Sequence, residues 1–153
     1  MISSREAIIS ALCARLANAQ FSTPINGLTS WALLSRRLRL WSDVSAADQP
    51  ALFVTEHAEN VVGPGDMVPA KTTLAVDLFI YIAAGKDPNA IPASALNIAL
   101  DALTAVLAPP PGASRQTLGG LVAHCRIEGR VIKDPGDLDG QGLAIVPVKI
   151  LAP

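Results

Sequence analysis

The stretch TTLAVDLFIYIAAG, residues 72–85, is the most apolar predicted strand of the chain and decides the fold. Its large apolar side chains recur at every second position, which places them on one face of an extended chain. These side chains are Leu74, Val76, Leu78, Ile80 and Ile82. Because the segment is so apolar, we expect it to lie in the centre of a β-sheet.

Two further strands are predicted before this one. DQPALFVTEHAENVV, residues 48–62, carries Pro50 at the start of the strand, where a missing N–H is tolerated. LLSRRLRLWSDV, residues 33–44, alternates in the manner of a half-exposed strand. The residues expected to face the core are Leu38 and Leu40, and those expected on the other face are Arg37, Arg39 and Trp41.

Two more strands are predicted near the end of the chain. LGGLVAHCRIEGRVIKD, residues 118–134, alternates clearly, with Cys125 among the inward-facing residues and His124 and Arg126 among the outward-facing ones. GLAIVPVKILAP, residues 142–153, follows as the last strand. The sequence between them therefore has to form a turn.

Helical periodicity marks two other segments. Residues 3–19, SSREAIISALCARLANA, begin with Ser3 and Glu6 at the spacing of a capping box. Residues 86–111 form the second helix, which the prolines at positions 109–111 end. Its predicted apolar stripe is Leu96, Leu100, Leu103 and Leu107.

The predicted order is therefore α-β-β-β-α-β-β. Hairpins joined by short or moderate loops, together with two helices, indicate an α+β domain. We expect a mainly antiparallel sheet of about five strands packed with two α-helices. No repeat or linker divides the chain, so residues 1–153 are predicted to form a single domain.

The stretch DPGDLDGQG, residues 134–142, has the composition of either a calcium loop or a turn. If Gly140 takes the sixth position of an EF-hand loop, the first position falls on Pro135 and the twelfth on Val146. Neither of these side chains can bind calcium, and the flanking segments are predicted strands. The pattern favours the connection of a β-hairpin.

The composition predicts a protein that buries surface against partners. Apolar residues make up 50% of the chain and charged residues 16%, against a usual charged share of about 25%. The net charge is −1 and the mean hydropathy +0.39. Asp77, Asn97 and Asp101 interrupt the longest apolar segments, so we expect no membrane span. Cys13 and Cys125 are predicted to be buried free thiols.

No catalytic or metal-binding pattern is visible, so we predict a protein that is not an enzyme and needs no cofactor. The histidines are His57 and His124. His57 lies between Glu56 and Glu59, but adjacent strand residues point to opposite faces, which disfavours a metal site. The basic cluster of Arg36, Arg37 and Arg39 has no aromatic platform for nucleic acid and favours a solvated face or a protein interface.

Several short segments of the sequence resemble those of a known family. They are DQPALFV, LAVDLFIYIAAG, SALNIALDALTAVLAP, QTLGGLVAHCRIEG and GLAIVPVKI. In element order and pattern, nearly the whole chain is similar to the tail terminators (tail-completion proteins) of long-tailed phages, of the lambda minor tail protein U type. The resemblance implies a structural virion protein with no catalytic residues.

The resemblance also implies partners and a location. Subunits of this family form a ring, typically hexameric, on the head-proximal end of the tail tube; they stop tube polymerisation and offer a docking surface for the head-completion or neck protein. The host cytoplasm is the site of assembly. The alternatives are a neck or stopper ring protein and, less favoured, a small-ligand binding protein or enzyme.

Interface residues are predicted around the basic cluster, where carboxylates of a neighbouring subunit would pair with arginine. A passing contact with DNA in the lumen of the ring is the alternative use of the arginines. The candidate residues of the subunit or tube interface are Arg36, Arg37, Arg39, Trp41, Glu56, Glu59, Asp66 and Met67.

Overall fold

The computed structural model describes residues 4–65 and 70–153. Three residues named above lie outside this part of the chain. They are the predicted capping residue Ser3 and the interface candidates Asp66 and Met67. Within the described part, Ser4 caps the first helix, because its Oγ accepts a hydrogen bond from the backbone N–H of Ala7 at 3.1 Å.

Two helices and one mixed sheet form the fold, which confirms the predicted α+β class. The helices are α1 (Arg5–Leu16) and α2 (Pro92–Val106). The strands are β1 (Leu33–Ser35), β2 (Ala51–Val62), β3 (Lys71–Ala83), β4 (His124–Ile127), β5 (Ile132–Asp134) and β6 (Gln141–Leu151).

The sheet has the order β1-β2-β3-β6-β4, and β5 pairs with β6 on the same side as β4. The central position predicted for residues 72–85 is confirmed, because β3 pairs with β2 on one side and with β6 on the other. These pairs are antiparallel, whereas β1 runs parallel to β2. The sheet is therefore mixed at one edge, where the prediction was of a mainly antiparallel sheet.

The strand predicted over residues 33–44 is wrong beyond Ser35. Leu38 is 42% exposed and Leu40 is 71% exposed, so neither faces the core. The chain turns at this point because the Ser35 hydroxyl accepts a hydrogen bond from the backbone N–H of Arg37 at 3.1 Å, a local bond that competes with strand pairing. Short 3₁₀ turns follow at Trp41–Asp43 and Ala46–Asp48.

The strand predicted over residues 118–134 is divided into β4 and β5, so the sheet has six strands instead of five. Between them, Gly129 has φ of +125°, a conformation that interrupts the ladder. Both pieces still pair with β6. The outward positions of His124 and Arg126 and the buried position of Cys125 are confirmed.

The helices cover one face of the sheet, called here the inner face. All five predicted inward residues of β3 are buried there. Helix α1 contributes Ile8, Ile9, Leu12 and Leu16, and α2 contributes Leu96, Ala99 and Leu103. Leu107, just past α2, is also buried, while Leu100 is only partly buried. Burial on this scale is the main source of stability.

The opposite, outer face is covered at one end only. The segment of residues 41–50 places Val44 against Phe53 and Tyr81 in a second apolar cluster. The ring of Trp41 lies 5.1 Å from that of Tyr81, and the Tyr81 hydroxyl donates a 2.6 Å hydrogen bond to the carbonyl of Arg39. These contacts hold the segment across the sheet and explain why it is not a strand.

The turn predicted for residues 134–142 is confirmed as the β5–β6 hairpin connection. Asp134 accepts a hydrogen bond from the N–H of Gly136 at 3.2 Å, and Asp139 accepts one from the N–H of Gln141 at 2.9 Å. These are the local bonds for which Asp is favoured in turns. Gly136 and Gly140 have φ of +85° and +74°.

We expect Gly136→Ala to destabilise the protein more than Gly112→Ala. Both glycines have φ near +80°, which costs an alanine about 1–2 kcal/mol. A Cβ at Gly136 would also lie 2.7 Å from backbone atoms of Gln141 and Gly142, whereas one at Gly112 would meet nothing within 4 Å. The steric overlap should add about 1–3 kcal/mol to the loss in free energy of unfolding. Equal denaturation midpoints for the two variants would contradict this account of the turn.

Candidate interaction surfaces

Arg36 is held within its own chain. Its guanidinium pairs with Glu6 of α1 at 3.0 Å and with Glu56 of β2 at 3.2 Å. The hydrogen bond from Arg36 lowers the pKa of the Glu6 carboxyl. Glu59 is likewise paired within the chain, with Arg5 at 2.9 Å. The carboxylates of Glu56 and Glu59 thus already have partners in the same subunit, where the sequence suggested a neighbouring one.

Arg37 and Arg39 differ from Arg36 in having no ion pair within the described part of the chain. Both are exposed, and Trp41, two residues after Arg39, is half-buried. The carbonyl of Arg39 is fixed by Tyr81, so the backbone that carries these two guanidinium groups is anchored to the sheet. Their place in an interface stays a prediction.

The far end of the β2–β3 hairpin also exposes apolar residues. After an irregularity in register between Glu56 and Ala58, the rest of β2 is exposed to its end. Val61 is 61% exposed and Val62 is 52% exposed. This hairpin end, residues 59–62 with 71–73, has exposed valine side chains. Within the described part of the chain, residues 59–62 of β2 pair only with β3, so the other edge of β2 is open to a partner.

The middle of the outer face carries an apolar patch that spans three strands. Phe79 of β3 lies directly opposite Ile145 of β6, which in turn lies opposite Ile132 of β5. Ile132 is 50% exposed, and Phe79, Ile145 and Pro147 are partly exposed. This outer patch is a candidate interaction surface.

A polar groove adjoins the outer patch at the end of the sheet away from residues 41–50. It has a volume of about 220 Å³ and is lined by Thr73, His124, Arg126, Glu128, Lys149 and Leu151. Arg126 of β4 lies directly opposite Lys149 of β6, a pairing of like charges that is unfavourable in a sheet. Glu128 neutralises Arg126 at 2.7 Å, while no ion pair of Lys149 occurs among the described residues.

The sequence predicted only some of the residues that line this groove. The alternation of residues 118–134 placed His124, Arg126 and Glu128 on one face, and this is correct. Lys149 was missed, because its position beside Arg126 depends on the register between β4 and β6. The hairpin turn does not predict this register, because β4 is shifted by two residues relative to the β5–β6 pairing; extending that pairing outward would place Arg126 opposite Leu151.

Neither histidine lies in a metal site. His57 Nδ1 is 3.4 Å from a carboxylate oxygen of Asp77, and the imidazole is 64% exposed. Across residues 4–65 and 70–153, no three His, Cys, Asp or Glu side chains are grouped so that they could hold a metal ion.

The two cysteines are free thiols. Cys125 of β4 is fully buried in the inner-face core, and this burial raises the pKa of its thiol to about 12. Cys13 is only partly buried; burial raises the pKa of its thiol and the nearby Arg36 opposes the rise. The prediction of burial is correct for Cys125 and holds in part for Cys13.

Comparison with models of known protein families and with curated proteins finds no significant match. Among the described helices, none has the length and apolar character needed to cross a membrane. The interaction surfaces of the chain itself therefore carry the functional argument.

We expect a thiol reagent at pH 8 to label Cys13 well before Cys125. The reactive species is the thiolate, and a pKa raised to about 12 leaves very little of it at Cys125. Mass spectrometry of the labelled peptides during the reaction measures both rates. Addition of denaturant should make the two rates similar. Equal rates in the native protein would show that Cys125 is not enclosed as described.

Proposed function

We propose that this protein is a ring-forming structural subunit that ends the tail tube of a long-tailed phage. The subunits cap the head-proximal end of the tube, stop its growth and present a surface to the neck. The partners in this proposal are further copies of the chain, typically six, the tail tube protein and a head-completion protein. This specific function is proposed because the sequence resembles the tail terminators.

The observation that carries the proposal is the covering of the sheet on one face only. Two helices bury the inner face, whereas residues 41–50 cover just one end of the outer face. The outer patch and the valines of the hairpin end remain accessible. A chain with 16% charged residues and this much accessible apolar surface is suited to a subunit with neighbours.

In a ring, neighbouring subunits would cover the outer patch and the hairpin end. Adjacent subunits in a closed ring use different patches of the same chain, so each copy needs two separate contact surfaces. A tube cap needs a third surface for the tube. The outer patch, the hairpin end and the segment of Arg37 and Arg39 are separate regions of the chain, and each is available for one of these contacts.

The direct test is the length of tubes assembled in the presence of the protein. Tail tube protein from the same genome is allowed to polymerise with and without this chain, and lengths are measured by electron microscopy. The proposal predicts short tubes with a cap at one end when the chain is present. Tubes of unchanged length without a cap would contradict it, and capture of the chain by heads but not tubes would favour the neck protein.

Charge reversal at Arg37 and Arg39 tests the predicted interface. Arg37→Glu combined with Arg39→Glu should leave the fold intact, because neither side chain has an ion pair in the described part of the chain, but should reduce occupancy at tube ends at least tenfold. The matched control is Arg115→Glu with Arg130→Glu, which changes two other exposed arginines and gives the same net charge.

Subunits on purified tails are counted by quantitative mass spectrometry, and tail lengths are measured in the same samples. Overlong tails with the folded interface variant and normal tails with the control are expected. Normal occupancy and normal length for both variants would remove Arg37 and Arg39 from the interface. A loss of DNA contact with a normal ring would assign them to the lumen.

A further inference from the structure

A single leucine protrudes from the β5–β6 hairpin. Leu138 is 103% exposed and lies between Asp137 and Asp139, both of which are also exposed. The turn that carries it is held firmly: the N–H of Gly140 donates to the carbonyl of Gly136 at 2.9 Å, and the N–H of Ala84 donates to the carbonyl of Gly140 at 2.8 Å. The loop is therefore a preformed protrusion with an apolar tip and two flanking carboxylates, called here the acidic tip.

The polar groove has the opposite character. Arg126, Lys149 and His124 line it together with Leu151, and Glu128 compensates only Arg126. An approaching carboxylate would relieve the unfavourable cross-strand pair of Arg126 and Lys149. Leu151 and the adjoining Pro147 offer apolar contact beside these charges. The groove thus matches an acidic segment that also carries an apolar side chain.

The two features lie at opposite ends of one strand. Asp139 precedes the start of β6, and Lys149 and Leu151 lie at its end. At about 3.3 Å per residue, the eleven residues of β6 keep them roughly 30 Å apart. Since β6 pairs with β3 along its whole length, this separation is fixed. The tip cannot reach the groove of its own chain, but it can reach that of another copy.

We infer that the acidic tip of one copy docks in the polar groove of the next copy. Leu138 would pack beside Leu151, and Asp137 and Asp139 would face Lys149, Arg126 and His124. Such a contact joins two different patches, and repetition of it either closes into a ring or continues as a filament. The inference deepens the proposed function, because it adds one specific contact between neighbouring subunits to the surfaces named there, and it rests on that proposal only for closure.

The apolar tip favours this occupant over a phosphate group. A phosphate has no apolar group to lie beside Leu151 and would leave the full exposure of Leu138 unexplained. A second copy accounts for the exposed leucine and for Lys149, which has no ion pair among the described residues. Because the charges lie near the surface, the contact should weaken as salt is raised.

Crosslinking tests the contact in the full-length chain. In a Cys13→Ser background, Leu138→Cys and Thr73→Cys are introduced together and treated with a short bismaleimide, both free in solution and with tail tube protein. The inferred contact predicts a ladder of covalent oligomers, whereas each single variant should give dimers at most. The matched control pairs Leu138→Cys with Ser10→Cys, since Ser10 is exposed on α1 and lines neither the groove nor the pocket beside Leu138. That pair should give no ladder.

Reciprocal charge reversal then identifies the interacting groups. Asp137→Lys with Asp139→Lys should reduce the ladder at least tenfold, and so should Arg126→Glu with Lys149→Glu. Combining all four changes should restore it. Circular dichroism checks that each variant is folded, and a variant that fails this check is replaced by its single-site forms Asp137→Lys and Lys149→Glu.

The outcomes separate this contact from the proposed function. Absence of a ladder both in solution and with tubes overturns the contact, and a ring of normal mass in the charge-reversed variants overturns it while leaving the ring proposal standing. A ladder restored by the charge exchange supports the contact even if the protein fails to shorten tubes, in which case the tail-terminator function is the part that falls.

Discussion

The antiparallel pairing of β3 with β6 is the constraint on which the rest of the structure depends. It places Val76 opposite Val148 and Leu78 opposite Val146, so both strands present one continuous apolar face to the helices. Because side chains alternate with a period of two, a slip of one residue would turn this face outward. The same register places Thr73 opposite Leu151, and both of these residues line the polar groove. Stability and surface chemistry therefore share one cause.

The outer face of the sheet is covered less completely than the inner face. Helices α1 and α2 cover the inner face, and the small aromatic cluster around Tyr81 stabilises one end of the outer face. The remaining outer surface is apolar in the middle and charged at the far end. Phe79 packs partly against the Tyr81 cluster, whereas Ile132, on the β5 edge, is 50% exposed beside Ile145. In the proposed ring, neighbouring subunits cover this part of the outer face.

The sequence predicted the α+β class, the central β3 and the hairpin at residues 134–142, because strict alternation and turn chemistry are local signals. It failed where tertiary contacts decide. The alternation of Leu38 and Leu40 resembled a strand, yet the anchoring of Arg39 and Trp41 by Tyr81 draws the segment out of the sheet. Similarly, the partners of Arg36 come from α1 and β2, and Lys149 meets Arg126 only through strand register. Such contacts between distant residues leave no periodic signal.

The central claim is that copies of this chain form a closed ring at one end of a tail tube. Electron cryomicroscopy of tails, with the chain located by its known sheet and helices, tests it most directly. We predict a single closed layer of identical subunits at the head-proximal end, with an acidic tip next to a polar groove at each junction. An isolated single copy, or density for the chain distributed along the tube, would contradict the account.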